Sequence, residues 1–278
     1  MSMTLLDEPE SRPEAERIRL RPFTQADSVR LRDEKLLPPH GWRWQAGAFF
    51  DIDAAAASDG GGSHSVIPDT AVNSEIADNS PTPLHRFSIR EFAAMQELGI
   101  LTEGEPSELL DGLIVWKDRS SGDAEAMTVN RAHVKTIALF TAAMQKILVD
   151  HTLDAHVQVQ SPVTLSDCSC PEPDLAIVRG QMDQYDEHPR AADLWLVIEV
   201  AHSSLALDRR EKQQLYAAAG IAEYWIVNLR DGQVECHRLP DPVTRQYQSR
   251  TILTETESIE FVHGSVAVTL PVASLLAR

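Results

Sequence analysis

Two acids stand where acids are costly. The segment Asp193–Ala201 reads DLWLVIEVA, apolar on both faces, with Glu199 inside it. A strand covered on both sides reads this way. A carboxylate buried there must meet a cation, a metal or an arginine, or else take a proton. Asp174 stands at the entrance of a second apolar run, PDLAIV, where it could equally cap a turn. Carboxylates on neighbouring strands come within about 5 Å of each other. Like charges that close raise each other's pKa unless a divalent cation neutralises them. An all-oxygen donor set of this kind suits Mg²⁺ or Mn²⁺. Glu108 opens a third run, ELLDGLIVW, where its plainer reading is a solvent-facing acid before an Asp-Gly turn. Lys212 follows the Glu199 run, and Asp208, Lys212 and Tyr216, spaced i, i+4, i+8, share one helical face. That face is either solvated or turned back over the strand end, where an ammonium orients a water or steadies a phosphorane-like transition state. Arg209 and Arg210 flank the lysine and could hold phosphates.

Local patterns supply the elements that would position these side chains. Ser88-Ile-Arg-Glu91 is a capping box, and the helix it opens stops at Gly99. Asp111-Gly112 between two apolar runs predicts a type I′ hairpin, which carries Glu108. Asn130 is placed to cap a long amphipathic helix running to Asp150, with His133, Arg131 and Lys135 in its first turns. Strands are predicted at DAHVQVQ, PDLAIV and LWLVIEVA, then a helix over DRREKQQLYAAAG ending at Gly220, then EYWIVNL, VECHRL and two or three further strands. A sheet with mostly consecutive strands and a few helices is α/β or α+β. Before residue 84 the chain carries no recognisable chemistry. FTQADSVRLRDEK could form a short helix capped by Thr24, and residues 51–83, with AAAASDGGGSHS and DNSPTP, read as a linker. The division expected is an arm over 1–83, mostly disordered, and a folded domain over 84–278.

Composition narrows the classes. The 278 residues carry 25 basic and 42 acidic side chains, a formal charge of −17, which argues against a nonspecific DNA coat or an anionic-membrane binder. No run is long and apolar enough to span a bilayer. Three cysteines, Cys168, Cys170 and Cys236, make no disulfide framework and no zinc spacing, so a reducing, cytoplasmic setting is expected. Only five of the basic residues are lysines, so Lys212 is less easily background.

With these residues in hand, PEPDLAIVRG followed by ADLWLVIEVAHSSLALDRREKQQLYAAAGIAEYWIVNL resembles the Uma-type family of bacterial endonucleases, within the PD-(D/E)xK restriction-endonuclease-like superfamily. SELLDGLIVW is similar to that family's acid-initiated first hairpin and FSIREFAAMQELG to its opening helix, so the likeness covers roughly residues 84–270. The resemblance implies a restriction-endonuclease-like core, a mixed central sheet flanked by helices, with the N-terminal arm outside it. It implies Asp174 as the Asp of the "PD" element, Glu199 as the acid of the "(D/E)xK" element, Glu108 as the acid from the first hairpin, and the Val200 carbonyl as a further ligand of Mg²⁺ or Mn²⁺. The x-K lysine would fall at position 201, which is Ala201; Lys212 on the next helix would take its place. Tyr216 and His133 would support the site, and Arg209, Arg210, Arg131 and Lys135 would face DNA. The implied activity is Mg²⁺-dependent endonucleolytic cleavage of DNA, for which a homodimer would suit double-strand cutting. The rival reading is a catalytically idle nuclease-fold module that binds nucleic acid or a protein partner.

Overall fold

The computed structural model of the protein describes residues 20–37, 42–45, 48–51, 85–102, 104–116 and 124–277. In chain order the elements are α1 (Gln25–Asp33), β1 (Trp42–Gln45), β2 (Ala48–Asp51), α2 (Ile89–Glu97), β3 (Ser107–Leu110), β4 (Leu113–Trp116), α3 (Ala124–Asp150), β5 (Ala155–Val159), β6 (Leu175–Arg179) and β7 (Leu194–Ala201). A helical run follows as α4 (Leu205–Leu207), a π-helical turn (Asp208–Lys212) and α5 (Gln213–Ala218). Five strands close the chain: β8 (Glu223–Asn228), β9 (Gln233–Asp241), β10 (Gln246–Thr254), β11 (Ser258–His263) and β12 (Val266–Pro271).

Six strands form one mixed sheet in the order β10-β9-β8-β7-β6-β5. Only β7 and β8 run parallel, and the run from α4 to α5 makes the crossover between them. Parallel neighbours require such a connection, whereas the antiparallel ones close through turns. The apolar character of β7 on both faces is explained by what covers it. One face meets Ile137, Phe140, Met144 and Ile147 of α3. The other meets Leu205, Tyr216 and Ala217 of the crossover. The mixed sheet flanked by helices is therefore as expected, with PDLAIV and LWLVIEVA paired side by side and antiparallel.

The hairpin expected at Asp111-Gly112 is present. Both residues have positive φ, 51° and 77°, as the type I′ turn requires. The Ser88 capping box forms with both of its hydrogen bonds. Two expectations shift. The long helix starts at Ala124 rather than after Asn130, because AEAMTV before the asparagine is itself helix-forming sequence. The helix through Lys212 is interrupted by the π turn. Thr24 caps α1 as read, with a capping box, and what the sequence did not show is the packing of Phe23, Leu31 and Leu37 with Phe87, Met95, Leu109 and Ile114. Apart from Asp51, the linker expected over 51–83 lies outside the described residues. No described helix is long and apolar enough to cross a membrane.

Candidate active site

Asp174 sits just before β6, where the pairing with β7 runs out after Leu175 opposite Ile198. Its carboxylate takes over from the missing backbone partner: Oδ2 accepts the Val200 N–H at 2.8 Å. In extended backbone the N–H and C=O of one residue face the same neighbour. The Val200 carbonyl therefore lies on the Asp174 side of β7. His133 reaches the same oxygen from α3, with Nε2 at 3.2 Å, and Gln160 Nε2 stands 3.4 Å from Oδ1. Burial pushes the Asp174 pKa up, but the His133 and Val200 contacts outweigh it and hold the carboxyl below its ordinary value.

Glu199 is on the crossover face of β7. Its Oε1 accepts from Lys212 Nζ at 2.9 Å and from the Tyr216 hydroxyl at 2.8 Å. Glu108, carried by the hairpin, meets the same ammonium: its Oε1 lies 3.2 Å from Lys212 Nζ and also accepts the Glu172 N–H at 2.9 Å. All three are nearly sealed from solvent, Glu108 at 1%, Glu199 at 3% and Lys212 at 4% exposure. Asp208 is buried with them; Ser204 Oγ donates to its Oδ2 at 2.7 Å, and Tyr224 OH to its main-chain oxygen at 3.1 Å. The solvent-facing reading of Glu108 is thus not what the fold does.

The electrostatics follow from four acids around one ammonium. Burial first, and then the charges of Asp208, Asp174 and Glu108, push Glu199 up to about 8 despite Lys212. Burial likewise pushes Asp208 up to about 6. Burial opposes a charged Lys212, but Glu108, Glu199 and Asp208 together raise it well above the usual lysine value. The cluster carries more negative charge than its lysine neutralises.

The π turn explains how one short helix serves two acids. Glu199, Ile226 and Glu235 are successive partners across β7, β8 and β9, so both glutamates face the crossover. Lys212 lies over Glu199, while Arg209 donates to Glu235 Oε1 through Nε at 2.9 Å. The wider turn of a π-helix, frequent at functional sites, accommodates both reaches. Arg250 holds the other oxygen of Glu235 at 2.7 Å. Arg209 is thereby paired with Glu235 while staying partly exposed, and is not brought to the Lys212 cluster. Arg210 is half-buried, and Arg131 and Lys135 are exposed on the helix that carries His133. Sequence reasoning passed over Glu235 and the burial of Asp208. The alternation in VECHRL, which turns Glu235 to one face of β9, is the signal that could have found the first.

Among the described residues, no three His, Cys, Asp or Glu side chains are grouped so as to hold a metal ion between them. Mg²⁺ asks less of the protein, since one or two carboxylates plus water and phosphate suffice. Asp174, with the Val200 carbonyl on its side of β7, and Glu199 on the crossover face are the oxygen donors such an ion would meet, and the charge around them is not fully compensated.

Residues 116–273 match the family model Uma2, whose description is "Putative restriction endonuclease". That span holds Asp174, Glu199 and Lys212, whereas Glu108 precedes it. A crystal structure described as that of "a putative nuclease belonging to DUF820", from Anabaena variabilis ATCC 29413, is similar at 17% identity and a TM-score of 0.49, over 68% of this chain and 97% of that one. No curated protein matches the chain.

Proposed function

The chain belongs to the Uma2 family, and on that premise we propose that it is a metal-dependent endonuclease hydrolysing phosphodiester bonds of DNA. The observation that carries the proposal is the meeting of Lys212 with Glu199 and Glu108 in a buried cluster, one residue along β7 from the backbone that anchors Asp174. Ion pairs that only stabilise a fold seldom bury so much unbalanced charge, because removing charges from water costs more than most pairings return.

The residues that would hold Mg²⁺ or Mn²⁺ are Asp174 and Glu199, with Glu108 and the Val200 carbonyl. Bound there, the ion supplies Lewis-acid charge on the scissile phosphate and a water of lowered pKa. Lys212 directs its ammonium at the same place, where it orients the attacking water and offsets charge as phosphorus becomes five-coordinate. The attacking water gives up one proton as its oxygen bonds to phosphorus, one ester P–O bond breaks, and the departing oxygen takes up a proton, so that one water is consumed. His133 holds the Asp174 carboxylate, and Tyr216 fixes Glu199 Oε1. Arg131, Lys135 and Arg210 would meet the DNA backbone.

The formal charge of −17 favours one alternative, an idle nuclease-fold module, because salt-dependent DNA affinity is hard to build on such a surface. A cleavage time course on plasmid and single-stranded DNA with Mg²⁺, Mn²⁺ or chelator separates the two. Metal-dependent cutting that disappears in Asp174→Ala and Glu199→Ala supports the nuclease; cutting unchanged in both variants removes the site.

A further inference from the structure

Glu108 is the member of the cluster that the family match does not cover, and its hairpin is held by a part of the chain with no assigned role. Leu20 forms an antiparallel bridge with Val115, which is itself the strand partner of Glu108. Leu20, Val115 and Glu108 therefore lie in one row, with the N-terminal segment bridged at a single residue to the hairpin's outer edge. The next residue, Arg21, contacts both the hairpin and the segment leading into it. Its main-chain N–H donates to the Ile114 carbonyl at 2.8 Å. Its guanidinium donates to Glu105 Oε1 at 2.8 Å and to the Ile100 carbonyl at 2.7 Å, on the approach to β3. Asp27 of the α1 capping box accepts from the same guanidinium at 3.3 Å. Behind these contacts, Phe23, Leu31 and Leu37 complete the small apolar cluster that contains Leu109 and Ile114 of the hairpin.

We propose that residues 20–37 are a working part of the site: they clamp the β3–β4 hairpin so that Glu108 reaches Lys212, and Arg21 is the positioning residue. A four-residue strand pair has little stability of its own. One side of this one is docked on the main domain through the Cys170 N–H to the Leu109 carbonyl and the Gly112 N–H to the Cys168 carbonyl. The N-terminal segment closes the opposite side, and the three contacts of Arg21 span the sequence on either side of Glu108. A two-point hold of this kind fixes the register of the short strand, and with it which face Glu108 occupies. A nuclease consequence of the clamp rests on the function proposed above; the placement of Glu108 does not.

The test reads that placement directly. Because the Glu172 N–H donates to Glu108 Oε1, its hydrogen exchange reports where the carboxylate is. The Val200 N–H, held by Asp174, is the internal control. In full-length Arg21→Ala the Glu172 amide should exchange at least about tenfold faster while the Val200 amide is unchanged. Glu105→Ala, which removes the acceptor rather than the arginine, should do the same and decides the matter if Arg21→Ala does not fold. Where cleavage is measurable, Arg21→Ala should lower kcat with KM unchanged, and should add no further loss in a Glu108→Gln background. An unchanged Glu172 amide in the folded variants, or Glu172 and Val200 amides rising together, overturns the proposal. Absence of cleavage by the unaltered protein would count against the nuclease reading and leave the exchange result standing.

Discussion

Lys212 Nζ lies 2.9 Å from Glu199 Oε1, although the two residues are 13 positions apart and on different elements. The ammonium pairs with both Glu199 and Glu108 and offsets part of the cluster's negative charge. That pairing is one reason the acids tolerate burial. Under the proposed function, a lysine delivered from the neighbouring helix would take the place of the strand lysine that Ala201 does not supply. The crossover packs over the strand end, so an amine from it arrives at the same acids.

Removing the ammonium should therefore cost stability in a pH-dependent way. In Lys212→Met, Glu199, Glu108 and Asp208 lose their shared counter-charge. Breaking a buried pair from one side costs about 3–5 kcal/mol. The folded-state pKa values of Glu199 and Asp208 are raised, to about 8 and about 6. Below those values the acids hold protons and need no partner. Urea unfolding should show the full loss near pH 8.5 and a smaller one near pH 5. A loss independent of pH would mean that Lys212 contributes packing alone.

Divalent cations should stabilise the protein more as pH rises. A raised pKa means that the protonated form of Glu199 favours the fold; this contribution is complete below the ordinary value of 4.5 and is lost as pH rises through about 8. A cation replaces the proton, so its binding improves over the same window. Thermal shifts with Mn²⁺ should grow between about pH 5 and pH 8.5 and become flat in Glu199→Gln. Equal shifts at both pH values would place the ion elsewhere.

Much of this arrangement was legible in the sequence because polar residues interrupt apolar runs there. Glu199 within LWLVIEVA and Asp174 before LAIV announce themselves through the cost of burying charge. The Asp-Gly turn and the Ser88 box are local signals and form as read. What could not be read is what depends on distant partners. Glu108 looks like a turn-side acid until Lys212, 104 residues away, is seen beside it. The pairing of Arg209 with Glu235 likewise depends on a residue 26 positions away. The π turn leaves no periodicity to detect, since the same residues fit an α-helix until two acids must be met at once.

Glu235 tests whether the π turn is held from outside the cluster. Its carboxylate is completely buried, and although burial alone would raise its pKa, His237, Arg209 and Arg250 pull it down to about 2. Its stabilising effect is therefore present above the ordinary carboxylate value and lost as pH falls through about 2. Glu235→Gln should cost about 1–3 kcal/mol near neutral pH, because both arginines are partly exposed and can rehydrate. The gap between variant and parent should narrow as pH falls from about 5 toward 2. If the gap is constant across that range, the carboxylate's charge is not what holds Arg209.

Gly112 tests whether the hairpin's shape places Glu108. Its φ is +77°, a region costly to any residue with a Cβ. An added Cβ would also meet Arg86 Cβ at 2.7 Å and Arg86 Cα at 3.0 Å, backbone that cannot swing aside. Left-handed strain and the clash together predict about 2–4 kcal/mol of destabilisation for Gly112→Ala. The turn relieves that strain only by opening, and opening it draws Glu108 off Lys212 and releases the Glu172 N–H. The variant should accordingly melt lower and lose protection at the Glu172 amide, while Gly264→Ala, at φ +58° with open space around it, should show the backbone cost alone. If both variants lose stability equally and Glu172 stays protected in each, the Arg86 contact does not govern the hairpin, and Glu108 is held in place by its own hydrogen bonds.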